Sequence, residues 1–443
     1  MSVCNEMSAY IELKKRIRDK KAAITVVGLG YVGLPIAIEF CRKGFKVNGL
    51  DTNALRIKKL EKGISYINDI PSAELRKVLK KKSFYATSDV DVLRDSDVVI
   101  ICVPTPLRKT KDPDISYIIR ASRALCEKMR PGQLVIVEST TYPGTTREVI
   151  LPVLEKSGYE VDKDFYLAFS PERIDPGNEK YGLTNVPKVV GGLTKKSTEL
   201  GKLLYSKIIN RVIGVSSTEA AEVTKLLENT FRIVNIALIN EFAILCNKLG
   251  IDVWEVINAA KTKPFGFLPF YPGPGIGGHC IPADPMYLSW KARTVGFKTK
   301  MIDLAAHTNH LMPEYVVERV TKLLKSENRK IRGLKALVIG VTYKKDVNDL
   351  RESPALDIIV SLQKKGIQVS YADPYIPYLD LPDIKMTSRK ITPGFLKKQD
   401  IVLITADHSN LDYKMIARGS KMVFDARNAL GQKGISGDNI VKL

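Results

Sequence analysis

A chain of 443 residues is too long for one hydrophobic core and implies two or three domains, and its 44% hydrophobic and 26% charged residues exclude a disordered or fibrous class. Lysine and arginine outnumber aspartate and glutamate 69 to 48, and the resulting charge of +21 favours anionic partners such as phosphorylated small molecules, nucleic acid or a membrane surface. The lysines are scattered without a basic ribbon interleaved with aromatics, and no apolar leader opens the chain, so neither nucleic-acid binding nor secretion is expected.

The first legible element is a strand, Ala22 to Gly28, which runs into Gly28-Leu29-Gly30-Tyr31-Val32-Gly33 and then a helical pattern from Leu34 to Arg42. In such a strand, turn and helix, the first glycine allows the tight turn, the second admits a pyrophosphate to the backbone, and the third permits close helix packing. A second strand, Phe45 to Leu50, ends at Asp51, about 20 residues on, where an acid accepts hydrogen bonds from a ribose 2′-hydroxyl and selects NAD over NADP. Arg56 beyond it is a candidate for the adenosine side of the cofactor or a solvated surface arginine.

Strands Asp97 to Val103 and Gln133 to Glu138 end in polar loops at Thr105 and Thr141, both read as cofactor or substrate contacts or as ordinary turn chemistry. A further strand, Phe165 to Phe169, leads into Ser170-Pro171-Glu172-Arg173-Ile174-Asp175-Pro176-Gly177-Asn178, where Glu172 is a candidate acid or base and Arg173 a candidate phosphate ligand. Thr218 to Leu249 contains neither Gly nor Pro and reads as one buried helix of some 30 residues, too interrupted by Arg232, Asn235, Asn240 and Glu241 for a membrane span. It places Lys225 and Asn229 on one face and suggests either a homodimer spine or a brace between domains.

Phe270 to Cys280, continued by Ile281-Pro282-Ala283-Asp284-Pro285, is so rich in Gly and Pro that a shaped loop is expected instead of a helix. It delivers a thiol beside His279, either a covalent nucleophile or a small buried hydrophobe. The six cysteines include no CxxC pair, as in a reduced cytoplasmic protein, and His307 and His310 lack carboxylate companions, so no metal is expected. The last third repeats the α/β grammar with strands Lys335 to Val341, Ile367 to Ala372, Asp400 to Thr405 and Met422 to Asp425, and the loop after the first of these suits a nucleotide phosphate.

Gly28 to Pro35, Ser170-Pro171-Glu172, Lys225 to Asn229, Gly277-Gly278-His279-Cys280 with Asp284, and Lys344-Lys345-Asp346 with Arg351-Glu352-Ser353 occur in the order found in the UDP-glucose/GDP-mannose dehydrogenase family, which the chain resembles over nearly its whole length. Within that family the Ser170 and Cys280 motifs look most like UDP-N-acetylglucosamine 6-dehydrogenases. The resemblance implies an α/β protein with two Rossmann-like doubly wound domains joined by a central all-helical region: residues 1–215 for NAD, 216–330 for dimerisation and catalysis, 331–443 for the UDP-sugar. It also implies a four-electron oxidation of a sugar C6 alcohol to a carboxylate with two NAD and one water.

Residue by residue, the resemblance makes Cys280 the nucleophile, Lys225 the stabiliser of oxyanions, Asn229 and Asp284 the groups that position water and the C6 oxygen, and Glu172 the acid/base carboxylate. Thr141 matches a water- and cofactor-side threonine, and Arg351 a cofactor contact. Glu172, Arg173, Lys225, Asn229, Tyr271, Gly275, Gly277, Tyr343 and Lys344 fall at substrate positions. His279 and Arg173-Ile174-Asp175 depart from the UDP-glucose pattern and make glucose itself the less expected sugar, leaving the gluco and manno epimers of an N-acetylhexosamine open.

Overall fold

The computed structural model describes residues 2–67, 70–108, 112–174, 180–325 and 330–443, with side chains from residue 9 onward. Asp175 to Asn178, which end the Ser170 motif, lie outside the described residues. The chain divides into two compact units, residues 1–228 with 286–297 and residues 229–285 with 298–443.

The first unit is built on eight strands: β1 (Ala23–Val27), β2 (Lys46–Leu50), β3 (Phe84–Thr87), β4 (Val98–Ile101), β5 (Gln133–Val137), β6 (Phe165–Phe169), β7 (Lys188–Gly192) and β8 (Val212–Val215). They lie in the order β3-β2-β1-β4-β5-β6-β7-β8, and every neighbouring pair is parallel except β6 and β7. β4, β5 and β6 are buried at every residue, as strands covered on both faces must be, and separate apolar clusters pack the two faces. The strand order reverses between β1 and β4, which is where a doubly wound sheet opens a crevice for a ligand.

Five of these strands follow from the apolar runs of the sequence. β3, β7 and β8 do not, because β3 is four residues long, β7 opens on Lys188 and closes on two glycines, and Gly214 interrupts β8.

The second unit carries β9 (Lys335–Ile339), β10 (Gln368–Ala372), a hairpin of β11 (Tyr378–Leu381) and β12 (Ile384–Thr387), then β13 (Ile401–Ile404), β14 (Val423–Asp425) and β15 (Ile440–Lys442). Its sheet runs β10-β9-β13-β14-β15, all parallel, and again reverses after its first strand. Gly340, at φ 84°, sits at this reversal, where a Cβ would lie 2.6 Å from Ala406 atoms.

Residues 216–330 hold helices and no strand among the described residues. Thr218–Leu249 is one helix of 32 residues ended by Gly250 in the left-handed region. It is buried through Leu226, Ile233, Ala237, Asn240, Ala243 and Cys246, while Leu227, Phe231, Leu238, Phe242, Leu245 and Leu249 are between 44% and 62% exposed. By length and composition alone this helix would pass for a membrane span, with mean hydropathy 1.2 over 18 residues.

Candidate functional site

In the first unit the glycine turn closes on β4. Gly28 takes φ 92°, and a Cβ there would stand 2.6 Å from the Cys102 carbonyl oxygen; at Gly33 it would stand 1.9 Å from the Gly28 carbonyl oxygen. At Gly30 a Cβ would meet nothing within 4 Å, so the middle glycine faces open space at the switch point. That open cradle, under the first turn of the helix Gly33–Arg42, fits a dinucleotide pyrophosphate.

Asp51 completes the crevice. Its carboxylate accepts from Leu29 N at 2.9 Å and Asn53 N at 2.8 Å, which locks it beside the glycine turn, while Arg56 approaches it at 3.3 Å and covers the Tyr66 ring. Arg56 is thus engaged with the acid end of the crevice as well as half exposed. Asp51→Asn is expected to raise KM for NAD about tenfold and to narrow the preference over NADP, since hydrogen bonds to a charged acceptor are worth about 1.5–3 kcal/mol. Steady-state kinetics with both cofactors would measure this, and an unchanged KM for NAD would contradict it.

Thr105 and Thr141 are both buried at the ends of their strands. The Tyr287 hydroxyl donates to the Thr105 carbonyl and holds that loop. The Thr141 hydroxyl has no hydrogen-bond partner among the described residues, so it is a buried polar atom still owed a ligand or water. The following loop is fixed by Glu222, whose carboxylate accepts from Gly144 N, Thr146 N and the Thr146 hydroxyl. Burial pushes Glu222 up to about 7 against those donors.

The turn after β6 brings Glu172 and Lys225 together: Lys225 Nζ donates to the Glu172 carbonyl at 2.5 Å. The Glu172 carboxylate itself is buried and accepts from Arg173 N, Ile174 N and Lys188 Nζ. The Arg173 fork is occupied by Glu228 and by the Pro187 carbonyl at 2.6 Å, so in this arrangement it braces the turn against the long helix.

In the second unit Asn229, one turn along from Lys225, donates to Asp284 at 2.5 Å. Cys280 is exposed and is the first residue of a helix, Cys280–Thr294. The expected loop therefore ends at Cys280, and Pro282 and Pro285 fall inside a helix. Pro282 is tolerated because first-turn N–H groups have no helical partner. This start gives the thiol the positive end of a helix, and Arg351, whose bidentate partner Asp349 holds it above the usual guanidinium range, lies within electrostatic range of Cys280.

The glycines of the loop that precedes Cys280 are explained by close packing. A Cβ on Gly277 or Gly278 would meet Tyr343 at 2.6 and 2.8 Å, and Gly278 N donates to the Arg351 carbonyl. Gly275, at φ 134°, abuts Pro354 and Pro313, and Tyr271 stacks on Trp254 with ring centroids 5.9 Å apart. Lys344 stands beside Tyr343 in the turn after β9, its carbonyl accepting from the Thr342 hydroxyl.

Two residues of this loop's setting escape a sequence reading. Asn240, buried in the long helix, accepts from Gly273 N and is held by Asn309; it interrupts an apolar run, which was the available signal. Arg427, just past β14, lies against Gly273, where a Cβ would be 2.6 Å from its guanidinium, and its only sequence mark is a basic residue at a strand end.

Three family descriptions match the chain in succession: the UDP-glucose/GDP-mannose dehydrogenase NAD binding domain over residues 22–209, the central domain over 219–311 and the UDP binding domain over 337–432. The UDP-N-acetyl-D-glucosamine 6-dehydrogenase of Pseudomonas aeruginosa is 41% identical over 81% of this chain and 84% of its own length. The enzyme of that description from Salmonella typhi is 38% identical over 92% and 96%. The solved UDP-D-ManNAc dehydrogenase of Pyrococcus horikoshii superposes with a TM-score of 0.86 at 34% identity, over 95% of this chain and 98% of that one.

Proposed function

This chain belongs to the UDP-glucose/GDP-mannose dehydrogenase family and is an NAD-binding nucleotide-sugar dehydrogenase, and from that premise we propose that it oxidises the C6 alcohol of UDP-N-acetylglucosamine to the uronic acid in two steps through Cys280. The observation that carries the reading is Cys280 itself: an exposed thiol at a helix start, within the electrostatic reach of Arg351, is placed to be a thiolate. NAD, when bound, supplies the hydride acceptor for each oxidation.

In the first step the C6 alcohol would give up a hydride to NAD and its hydroxyl proton to water, becoming an aldehyde. The Cys280 thiolate then adds to the aldehyde carbon, giving a thiohemiacetal whose oxyanion the Lys225 ammonium stabilises. Loss of a second hydride leaves a thioester. Water, placed by Asn229, Asp284 and the Thr141 hydroxyl, attacks the thioester carbonyl, the C–S bond breaks, and the carboxylate departs with the thiolate restored and both water protons passed to solvent. The Tyr271–Gly277 loop with Tyr343 and Lys344 binds the nucleotide sugar.

The N-acetyl sugar is favoured over glucose by the Arg173-Ile174-Asp175 and His279 departures and by relatives whose names specify N-acetylhexosamines. Initial rates of NADH formation with UDP-N-acetylglucosamine, UDP-N-acetylmannosamine and UDP-glucose test this. The gluco N-acetyl substrate is expected to be fastest by at least about tenfold, the size of effect one mismatched polar or steric contact produces. A manno preference would sink the assignment of the epimer while leaving the chemistry.

Homodimerisation through the long helix is part of the same proposal. Phe231, Leu238, Phe242, Leu245 and Leu249 share one face at seven- and four-residue spacings and are exposed, a stripe that a second copy would cover. Sedimentation equilibrium at micromolar concentration should return twice the 49.3 kDa chain mass, and a monomer would contradict it.

A further inference from the structure

Glu222 belongs to none of the motifs read from the sequence, yet it is 1% exposed and stands one helical turn before Lys225 on the long helix. Its carboxylate reaches the turn that follows β5: Oε2 accepts from Gly144 N at 2.6 Å, and Oε1 from Thr146 N at 3.0 Å and the Thr146 hydroxyl at 2.7 Å. Thr146 opens the helical turns Thr146–Ile150 and Leu151–Leu154, whose first N–H groups have no helical partner, so a side chain from another helix caps them. Glu219, one turn earlier, pairs with Arg147 at 2.6 Å across the same boundary. A buried carboxylate is costly even when its donors compensate it, and an apolar residue would fill the space without that cost, so what Glu222 contributes is its acceptors.

The turn is fastened on both sides of Thr141. Before it, the Ser139 hydroxyl donates to the Val103 carbonyl at 2.8 Å. After it, the Thr145 hydroxyl donates to the Tyr142 carbonyl at 2.7 Å, and Gly144 and Thr146 are held by Glu222. The Tyr142 ring packs with Leu226, one turn beyond Glu222, and with Tyr287, whose hydroxyl holds the Thr105 loop. Between these ties the Thr141 hydroxyl, buried like its neighbours, makes no hydrogen bond among the described residues. Ser139, Thr145 and Thr146 shape the turn, and Thr141 is left for a ligand or water.

We propose that Glu222 is a positioning residue for the oxidation: it fastens the Thr141–Thr146 turn to the long helix, so that the Thr141 hydroxyl and the Lys225 ammonium keep a fixed spacing and the water that releases the product is held where it attacks. This rests on the reading in which the Thr141 hydroxyl helps to place that water. Both groups then depend on one helix, Lys225 directly and Thr141 through Glu222. Loosening the tie slows hydrolysis of the Cys280 thioester and leaves the two hydride losses before it in place.

The test is a double-mutant cycle of Glu222→Gln and Thr141→Ala, run with UDP-N-acetylglucosamine and NAD. Glu222→Gln keeps the size of the side chain but sets an amide N–H group against Gly144 N, and kcat is expected to fall about 10²-fold, the order of effect of a displacement near 1 Å. With hydrolysis limiting, rapid mixing should show a burst of about two NADH for each site before the slow phase, and intact-mass spectra a thioester adduct on Cys280. In the Thr141→Ala background the same change should lower kcat by less than about threefold, since Glu222 acts through Thr141. The proposal is overturned if folded Glu222→Gln turns over normally, if it is slow with neither burst nor adduct, or if the two losses multiply, as a general loss of stability would make them. Should Glu222→Gln fail to fold, Thr146→Val, which removes one of the three hydrogen bonds, decides by the same criteria with an expected loss of about tenfold. Normal turnover by Thr141→Ala would instead overturn the reading of Thr141 on which the proposal rests.

Discussion

Cys280→Ala is expected to lower kcat for NADH formation from the nucleotide sugar by about 10³-fold or more, while Kd for NAD changes by less than about twofold. The asymmetry follows from where the residues belong. The glycine turn, Asp51 and Arg56 are all in the first unit, whereas Cys280 belongs to the second. Without the thiol the aldehyde has no covalent partner, so the second hydride cannot leave from a thiohemiacetal and the first oxidation has no committed product. Stopped-flow absorbance for turnover and fluorescence titration for NAD separate the two effects. A variant that still turned over at a tenth of the normal rate would refute the covalent step.

Gly33→Ala is expected to weaken NAD binding by distorting the turn, and Gly30→Ala to weaken it with the turn intact. A methyl on Gly33 would lie 1.9 Å from the Gly28 carbonyl oxygen and 3.1 Å from Val26 Cγ1, and the first of these contacts cannot be relieved without moving backbone. We expect about 2–4 kcal/mol of lost stability, at the upper end for overpacking, visible as a Tm several degrees lower. On Gly30 the methyl would meet no protein atom within 4 Å, so Tm should hold within about a degree while it occupies the space left for the pyrophosphate. Kd for NAD should rise at least about tenfold in both variants. Unaltered NAD binding by Gly30→Ala would contradict the placement of the cofactor.

The parts of this site that were legible in the sequence are those governed by local rules. The glycine turn and Asp51 sit at strand ends that apolar periodicity locates, and the turn's spacing states its own geometry. The Gly and Pro of the Cys280 segment predict a loop, yet a proline in a first helical turn, as Pro282 is, forgoes only a donor that has no helical partner. Lys188 was invisible for a different reason. A lysine is ordinarily a surface residue, and only the pairing of β7 with β8 and β6 and the arrival of Glu138 from another strand bury it. Nor does apolar composition say which residues of the long helix are covered by this chain and which, such as Phe231, Leu238 and Phe242, stand exposed.

The most direct test of the account is the stoichiometry of the reaction with UDP-N-acetylglucosamine limiting and NAD in excess, counting NADH by absorbance against uronate by mass spectrometry. Capture of the aldehyde by Cys280 predicts two NADH for each uronate and no free aldehyde. One NADH per product, with aldehyde released, would contradict it.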